Sequence, residues 1–194
     1  VILLFEWMAR LILAGLIGLS IWSVQIMIER RRFFKINLFP IAELIDLLKS
    51  GKSQDFEKRV QSLNPDFVDS LFEIKKIEDK DDRDLIFQIF LTKVRQKAQR
   101  GLPVLGSLGS TTPFIGLLGT VMGIIVSFGK LSDAGGGTDA VMFSLAEALI
   151  LTAVGLIVAI PAVIAFNYFT RKSKNYLEGL VTLKDSYLIY RREG

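Results

Sequence analysis

Three apolar runs, each long enough to cross a bilayer, are separated by blocks of charge, and this alternation limits what the chain can fold into. The first extends from Trp7 to Ile28, and from Leu11 onward its only polar residues are Ser20, Ser23 and Gln25. The second runs from Leu102 to Phe128 and the third from about Val141 to Phe169. A hydrocarbon core roughly 30 Å thick needs about 20 helical residues to span it. Lipid offers no hydrogen-bond partners, so the backbone must satisfy itself, and a helix does this within one segment. The expected fold is therefore an all-α integral membrane protein with three transmembrane helices. Composition agrees: 51% of residues are hydrophobic and 23% charged, and the two kinds are kept apart.

The first run could also be read as a signal peptide, but such a peptide carries its positive charge before the apolar stretch and a small-residue cleavage site after it. Here Glu29-Arg30-Arg31-Arg32 and then Lys35 follow the run, which predicts a retained helix. Arg10 lies near the other end, where it can snorkel, with Glu6 one helical turn before it. Basic clusters follow span one, precede span two (Lys93, Arg95, Lys97, Arg100) and follow span three (Arg171, Lys172, Lys174). Cationic flanks stay on the cytoplasmic side. The expected organisation is span one at 1–28, a cytoplasmic helical domain at 29–100, span two at 101–128, an outer loop at 129–140, span three at 141–169 and a cytoplasmic C-terminal helix at 170–194. The N-terminus then faces outward.

Within 29–100, Pro40 precedes the helical spacing Ile41, Leu44, Ile45, Leu48, which stops at Ser50-Gly51. A second helix is expected from Ser53 to about Leu63, broken by Asn64-Pro65. A third carries Phe67, Leu71 and Ile74, and a fourth begins near Leu85. The mixed run Glu78 to Asp84 reads as a solvated helix face or corner and matches no EF-hand loop. The chain has no Cys and no His, which removes thiolate nucleophiles, Cys/His zinc sites and imidazole acid–base chemistry. No nucleophile–base set remains, so an enzyme is not expected, nor is any cofactor. A net charge of +4 does not suggest nucleic-acid binding.

Chemistry is expected instead on two stripes of small residues. Gly109, Pro113, Gly116, Thr120, Gly123 and Ser127 advance by threes and fours along span two, while Leu117, Leu118, Val121, Ile124 and Ile125 lie between them. Ala148, Thr152, Gly155, Ala159 and Ala162 repeat the design in span three. Small residues let helices approach closely, and this packing role stands beside a pore-lining one. A dry helix pair has no need of paired hydroxyls, and each stripe carries a mid-membrane Thr. Pro113 and Pro161 are expected to kink their helices, with Ser107, Ser110, Thr111 and Thr112 able to satisfy the carbonyl that Pro113 frees. Glu147 is the only carboxylate within the second and third apolar runs and is a functional candidate on that ground. No Asp or Glu occupies a span midplane, so a titrating group for any ion pathway must come from another polypeptide.

The stretch from Arg100-Gly101-Leu102 through Ser110-Thr111-Thr112-Pro113-Phe114-Ile115-Gly116-Leu117-Leu118-Gly119-Thr120-Val121-Met122-Gly123-Ile124 resembles the second-span signature of the ExbB/TolQ/MotA family of ion-driven motors. It departs from it at Met122, where the family often has Trp. The stretch Glu147-Ala148-Leu149-Ile150-Leu151-Thr152-Ala153-Val154-Gly155-Leu156, on through Ile160-Pro161-Ala162-Val163, resembles the third-span signature. Three spans in this order are similar to ExbB and TolQ, and gliding-motor subunits share the layout. The resemblance implies a bacterial inner-membrane homopentamer, with helices two and three lining a central pore around a dimer of single-span ExbD/TolR-like partners. It further implies a partner Asp that exchanges protons, or sodium ions, with hydroxyls matching Thr120 and Thr152. Glu147 would stand at the entrance, and the work would pass to a TonB- or TolA-like protein.

Overall fold

The computed structural model describes residues 2–37, 40–61, 77, 79–132 and 138–192. Every regular element among them is an α-helix: α1 (Ile2–Asn37), α2 (Ile41–Lys49), α3 (Ser53–Gln61), α4 (Lys80–Gln99), α5 (Leu102–Ser132) and α6 (Thr138–Arg192). The helix expected around Phe67, Leu71 and Ile74, the Asn64-Pro65 break and the Gly135–Gly137 loop lie outside the described residues. Among the described residues three helices are long and apolar enough to cross a membrane, as the apolar runs require. They extend well past the apolar limits read from the sequence: α1 continues to Asn37, α5 to Ser132 and α6 to Arg192. Residues 29–37 and 170–192 contain neither Gly nor Pro apart from Gly179, so nothing there breaks a helix.

The chain divides into two compact units. The first comprises Val1–Glu29 and Gly101–Tyr168. Its helices pack through glycine. A Cβ built on Gly106 would meet Phe166, one on Gly109 would meet Val163, one on Gly116 would meet Leu151, Thr152 and Gly155, and one on Gly123 would meet Ala148. As numbers rise along α5 they fall along α6, so the two are antiparallel. α1 pairs with α5 in the same sense, with Ile26 at Gly101 and Ile12 at Gly119. Gly101 has φ of +76°, a left-handed conformation that a side chain would strain, at the turn between α4 and α5. Much of the outward surface is apolar. Phe114 and Phe143 are 70% and 72% exposed, and Trp7, Leu11, Ile21, Leu149, Ile157 and Ile164 are also exposed. Such a surface belongs in lipid or against further protein.

Pro113 lies inside α5 and Pro161 inside α6, and both helices are continuous across them. The hydroxyls near Pro113 do not serve the carbonyl that proline frees, that of Gly109. Ser110 and Thr111 donate to Ser107 O, and Thr112 donates to Leu108 O at 2.7 Å. Each hydroxyl reaches back three or four residues from its own position, which places these bonds one or two residues short of Gly109.

The second unit comprises Arg30–Arg100 and Phe169–Gly194. Its core joins Leu44 and Leu48 of α2, Phe56 and Val60 of α3, Phe87, Phe90 and Leu91 of α4, and Tyr176, Leu177, Leu180 and Leu183 of α6. The periodic apolar positions of α2 thus point inward as their spacing requires. Asp79 caps α4 by accepting from the Asp81 amide at 3.1 Å, so part of the acidic run starts a helix. Arg30 is 3% exposed and donates to Lys97 O at 2.7 Å with its head over the Phe33 ring.

Lys184 bridges Asp84 at 2.8 Å and Asp185 at 3.5 Å and sits over Phe87. Burial works against its charge, but the hydrogen bond from Lys184 to Asp84 and the attraction of both carboxylates outweigh it and hold the ammonium above its ordinary range. Burial also pushes the Tyr176 phenol up. Both groups bind their protons more tightly folded than unfolded. Their contribution is therefore complete below about pH 10, the unfolded value for tyrosine, and is lost as pH rises through the folded values. Helicity followed by circular dichroism in detergent is expected to hold at pH 8 and to fall above pH 10.5. Asp84→Asn is expected to lower stability at pH 8 by about 1 kcal/mol.

Candidate functional site

Thr120 is the most buried hydroxyl at the middle of α5, at 8% exposure, and its Oγ1 lies 3.1 Å from Gly116 O. The same oxygen is hydrogen-bonded to Oγ1 of Thr152 on α6, which is half-buried. Each hydroxyl has one proton. When Thr120 donates to its own helix at Gly116 O, Thr152 must be the donor between the two threonines. The Thr152 oxygen then keeps an acceptor site for a further donor, on the more exposed side of the pair. The glycines make this approach possible. A Cβ on Gly116 would fall 2.7 Å from Leu151 O, and one on Gly155 would fall 2.7 Å from Thr112 O.

The other stripe residues line the same seam. Ala148, Ala159 and Ala162 are buried on α6, and Ser127 is buried on α5 and donates to Gly123 O at 2.8 Å. Gly109 is buried, and Gly123 and Pro113 are half-buried. Pro161 is exposed and away from the seam. The two stripes therefore meet each other within one chain, and the packing role of Gly116, Gly123, Gly155 and Ala148 follows directly from their contacts. Thr112, which the sequence offered only to the carbonyl freed by Pro113, is fully buried with its backbone O against Gly155.

Glu147 is exposed on α6 and lines a cavity of about 240 Å³. Glu6 and Arg10 of α1, Gly123 of α5, and Ser144 and Leu151 of α6 share that lining. Glu6 and Arg10 form an ion pair at 3.2 Å, and the Arg10 guanidinium stands 6.0 Å from the Trp7 ring. Gly123 follows Thr120 by one turn and Leu151 adjoins Thr152, so the cavity wall reaches to within a turn of the hydroxyl pair. Sequence reasoning noted the Glu6–Arg10 spacing but not its place beside Glu147.

Two neutral hydroxyls among apolar side chains can hold water, accept from a carboxylic acid or bind a small cation. They carry no charge themselves. The chain is similar to several known proteins. The chain is 46% identical to the biopolymer transport protein ExbB of Xanthomonas campestris over 88 residues, covering 45% of this chain and 35% of that protein. It is 41% identical to the Tol-Pal system protein TolQ of Pseudomonas aeruginosa over 101 residues, covering 52% and 44%. It is 46% identical to the putative biopolymer transport protein ExbB-like 2 of Helicobacter pylori over 83 residues, covering 42% and 55%. The chain thus spans about a third to just over half the length of these relatives. Residues 52–180, which contain the hydroxyl pair, Glu147 and the whole glycine seam, match one family along their full extent, and the chain belongs to the MotA/TolQ/ExbB proton channel family.

Proposed function

We propose that the chain is the pore-forming subunit of a homopentameric motor in the bacterial inner membrane. It couples the proton-motive force to mechanical work through a dimer of an ExbD/TolR-like single-span protein. The Thr120–Thr152 hydroxyl pair, built where two apolar helices touch, carries this reading. An intramembrane carboxylate on the partner completes the site. Charged, it is costly in hydrocarbon; protonated, it is far less so, and it can donate to the open acceptor site on Thr152. Glu147, beside a cavity that reaches toward the pair, delivers the proton. The drive is about 2.3 kcal/mol per charge for each 100 mV. The N-terminus and the connection between α5 and α6 face the periplasm, and the second unit faces the cytoplasm with its basic residues. The names of the relatives point to TonB-type transport or Tol-type envelope energisation, with a TonB- or TolA-like protein receiving the work. A gliding or flagellar-type stator runs on the same chemistry, and sodium suits the same hydroxyl oxygens.

The test is to purify the affinity-tagged chain from its native membrane and reconstitute what accompanies it into vesicles. A single-span companion with an Asp in its apolar segment is expected, together with proton uptake driven by an imposed potential. Glu147→Ala is expected to lower that uptake by at least about tenfold. Full uptake with Glu147→Ala, or purification of the chain alone, argues against the reading. A passive scaffold is the second reading, favoured by the backbone-to-backbone contacts at Gly116 and Gly155. It requires Thr120→Ala and Thr152→Ala to be harmless.

A further inference from the structure

The cavity beside Glu147 carries a second carboxylate and a cation for which the proposed pathway has no role. Among the described residues its charged lining consists of Glu6, Arg10 and Glu147. An exposed pair spaced like Glu6 and Arg10 usually contributes little to a helix. This one sits differently. Arg10 is 64% exposed, but its acid is only 33% exposed, and the cavity they share with Glu147 is bounded by Leu13, Val126 and Leu151. Apolar walls strengthen attraction between charges, and an arginine left beside a carboxylate forms a strong charge-assisted hydrogen bond with it. Among the described residues Arg10 is the one cation in that lining, and so the one available to Glu147.

We propose that Glu6 is a positioning residue for the ion pathway: by holding Arg10 at 3.2 Å on its own helix, it keeps the guanidinium off Glu147 and leaves that carboxylate open to the incoming proton. The described lining carries a net charge of −1, from two carboxylates and one guanidinium, which attracts cations. Without Glu6 the sum falls to zero and Arg10 has Glu147 as its remaining partner in the cavity. α1 thereby acquires a part in conduction beyond anchoring the chain. The inference rests on the proposed role of Glu147.

The test uses the reconstituted complex, with proton uptake read by a trapped pH-sensitive dye and normalised to assembled protein. Glu6→Gln is expected to lower uptake at least about tenfold, and Glu6→Asp, which keeps the charge, to retain most of it. Adding Arg10→Gln to Glu6→Gln is expected to restore uptake to within about threefold of the unmodified complex, because the competing cation is gone. A purely structural Glu6 gives no such rescue. Normal uptake with Glu6→Gln, failure of that variant to assemble, or a double variant no better than the single one overturns the proposal. Glu147→Gln separates the two levels. If it is inactive while Glu6→Gln is normal, the positioning role fails and the pathway stands. If it is fully active, the pathway fails and the positioning role fails with it.

Discussion

Thr152→Val is expected to leave the complex assembled and to lower proton movement by about a hundredfold. Valine has nearly the volume of threonine, so the seam beside Leu151 and Gly155 keeps its shape. Thr120 keeps its bond to Gly116 O and is not left unsatisfied. The cost to folding is therefore that of one net hydrogen bond, about 1 kcal/mol. Conduction has no such reserve. Thr152 is the more exposed hydroxyl of the pair and the one whose acceptor site is open. A hundredfold loss corresponds to about 2.7 kcal/mol of barrier, within the roughly 1–3 kcal/mol that it costs to leave a buried carboxyl proton without its acceptor. Dye-reported uptake, divided by the amount of assembled complex, measures both effects together. A normal rate removes the hydroxyl pair from the pathway.

Gly116→Leu is expected to do the opposite, abolishing assembly itself. The new Cβ would stand 2.7 Å from Leu151 O, 3.1 Å from Thr152 Cα and 3.3 Å from Gly155 Cα. All three are backbone atoms and cannot rotate away, so α5 and α6 must separate. Overpacking usually costs about 1–3 kcal/mol, and here the cost also includes the Thr120–Thr152 bond. The result expected is little or no complex on size-exclusion chromatography and loss of chain from the membrane. Gly15→Ala is the control, since nothing lies within 4 Å of a Cβ there. Normal assembly with Gly116→Leu means the seam is not the close contact described.

The sequence reveals the apolar helices directly, because lipid forces hydrophobicity and helical hydrogen bonding into the same residues. It reveals less well where they end. Residues 170–192 read as an amphipathic helix continuing out of span three, and α6 runs through them without a break to Arg192, well past the apolar limit at Phe169. Hydropathy marks a change of solvent, whereas a helix stops only at a breaker. The site divides in the same way. Periodicity places Gly116, Thr120 and Gly123 on one face and Ala148, Thr152 and Gly155 on another, but a stripe does not say what it faces. Only the antiparallel register puts Thr120 against Thr152. The cavity was least legible, since Glu6 and Glu147 are far apart in the chain and no local pattern links them.

Each glycine notch on α5 accepts a particular occupant from α6: Val163 at Gly109, Gly155 at Gly116, Ala148 at Gly123. Sliding by even one residue would drive a side chain into backbone, so these two spans are locked in step like a toothed rack. Any stroke that performs work must then carry them as one solid block, and the moving joint has to be sought where this block meets its neighbours.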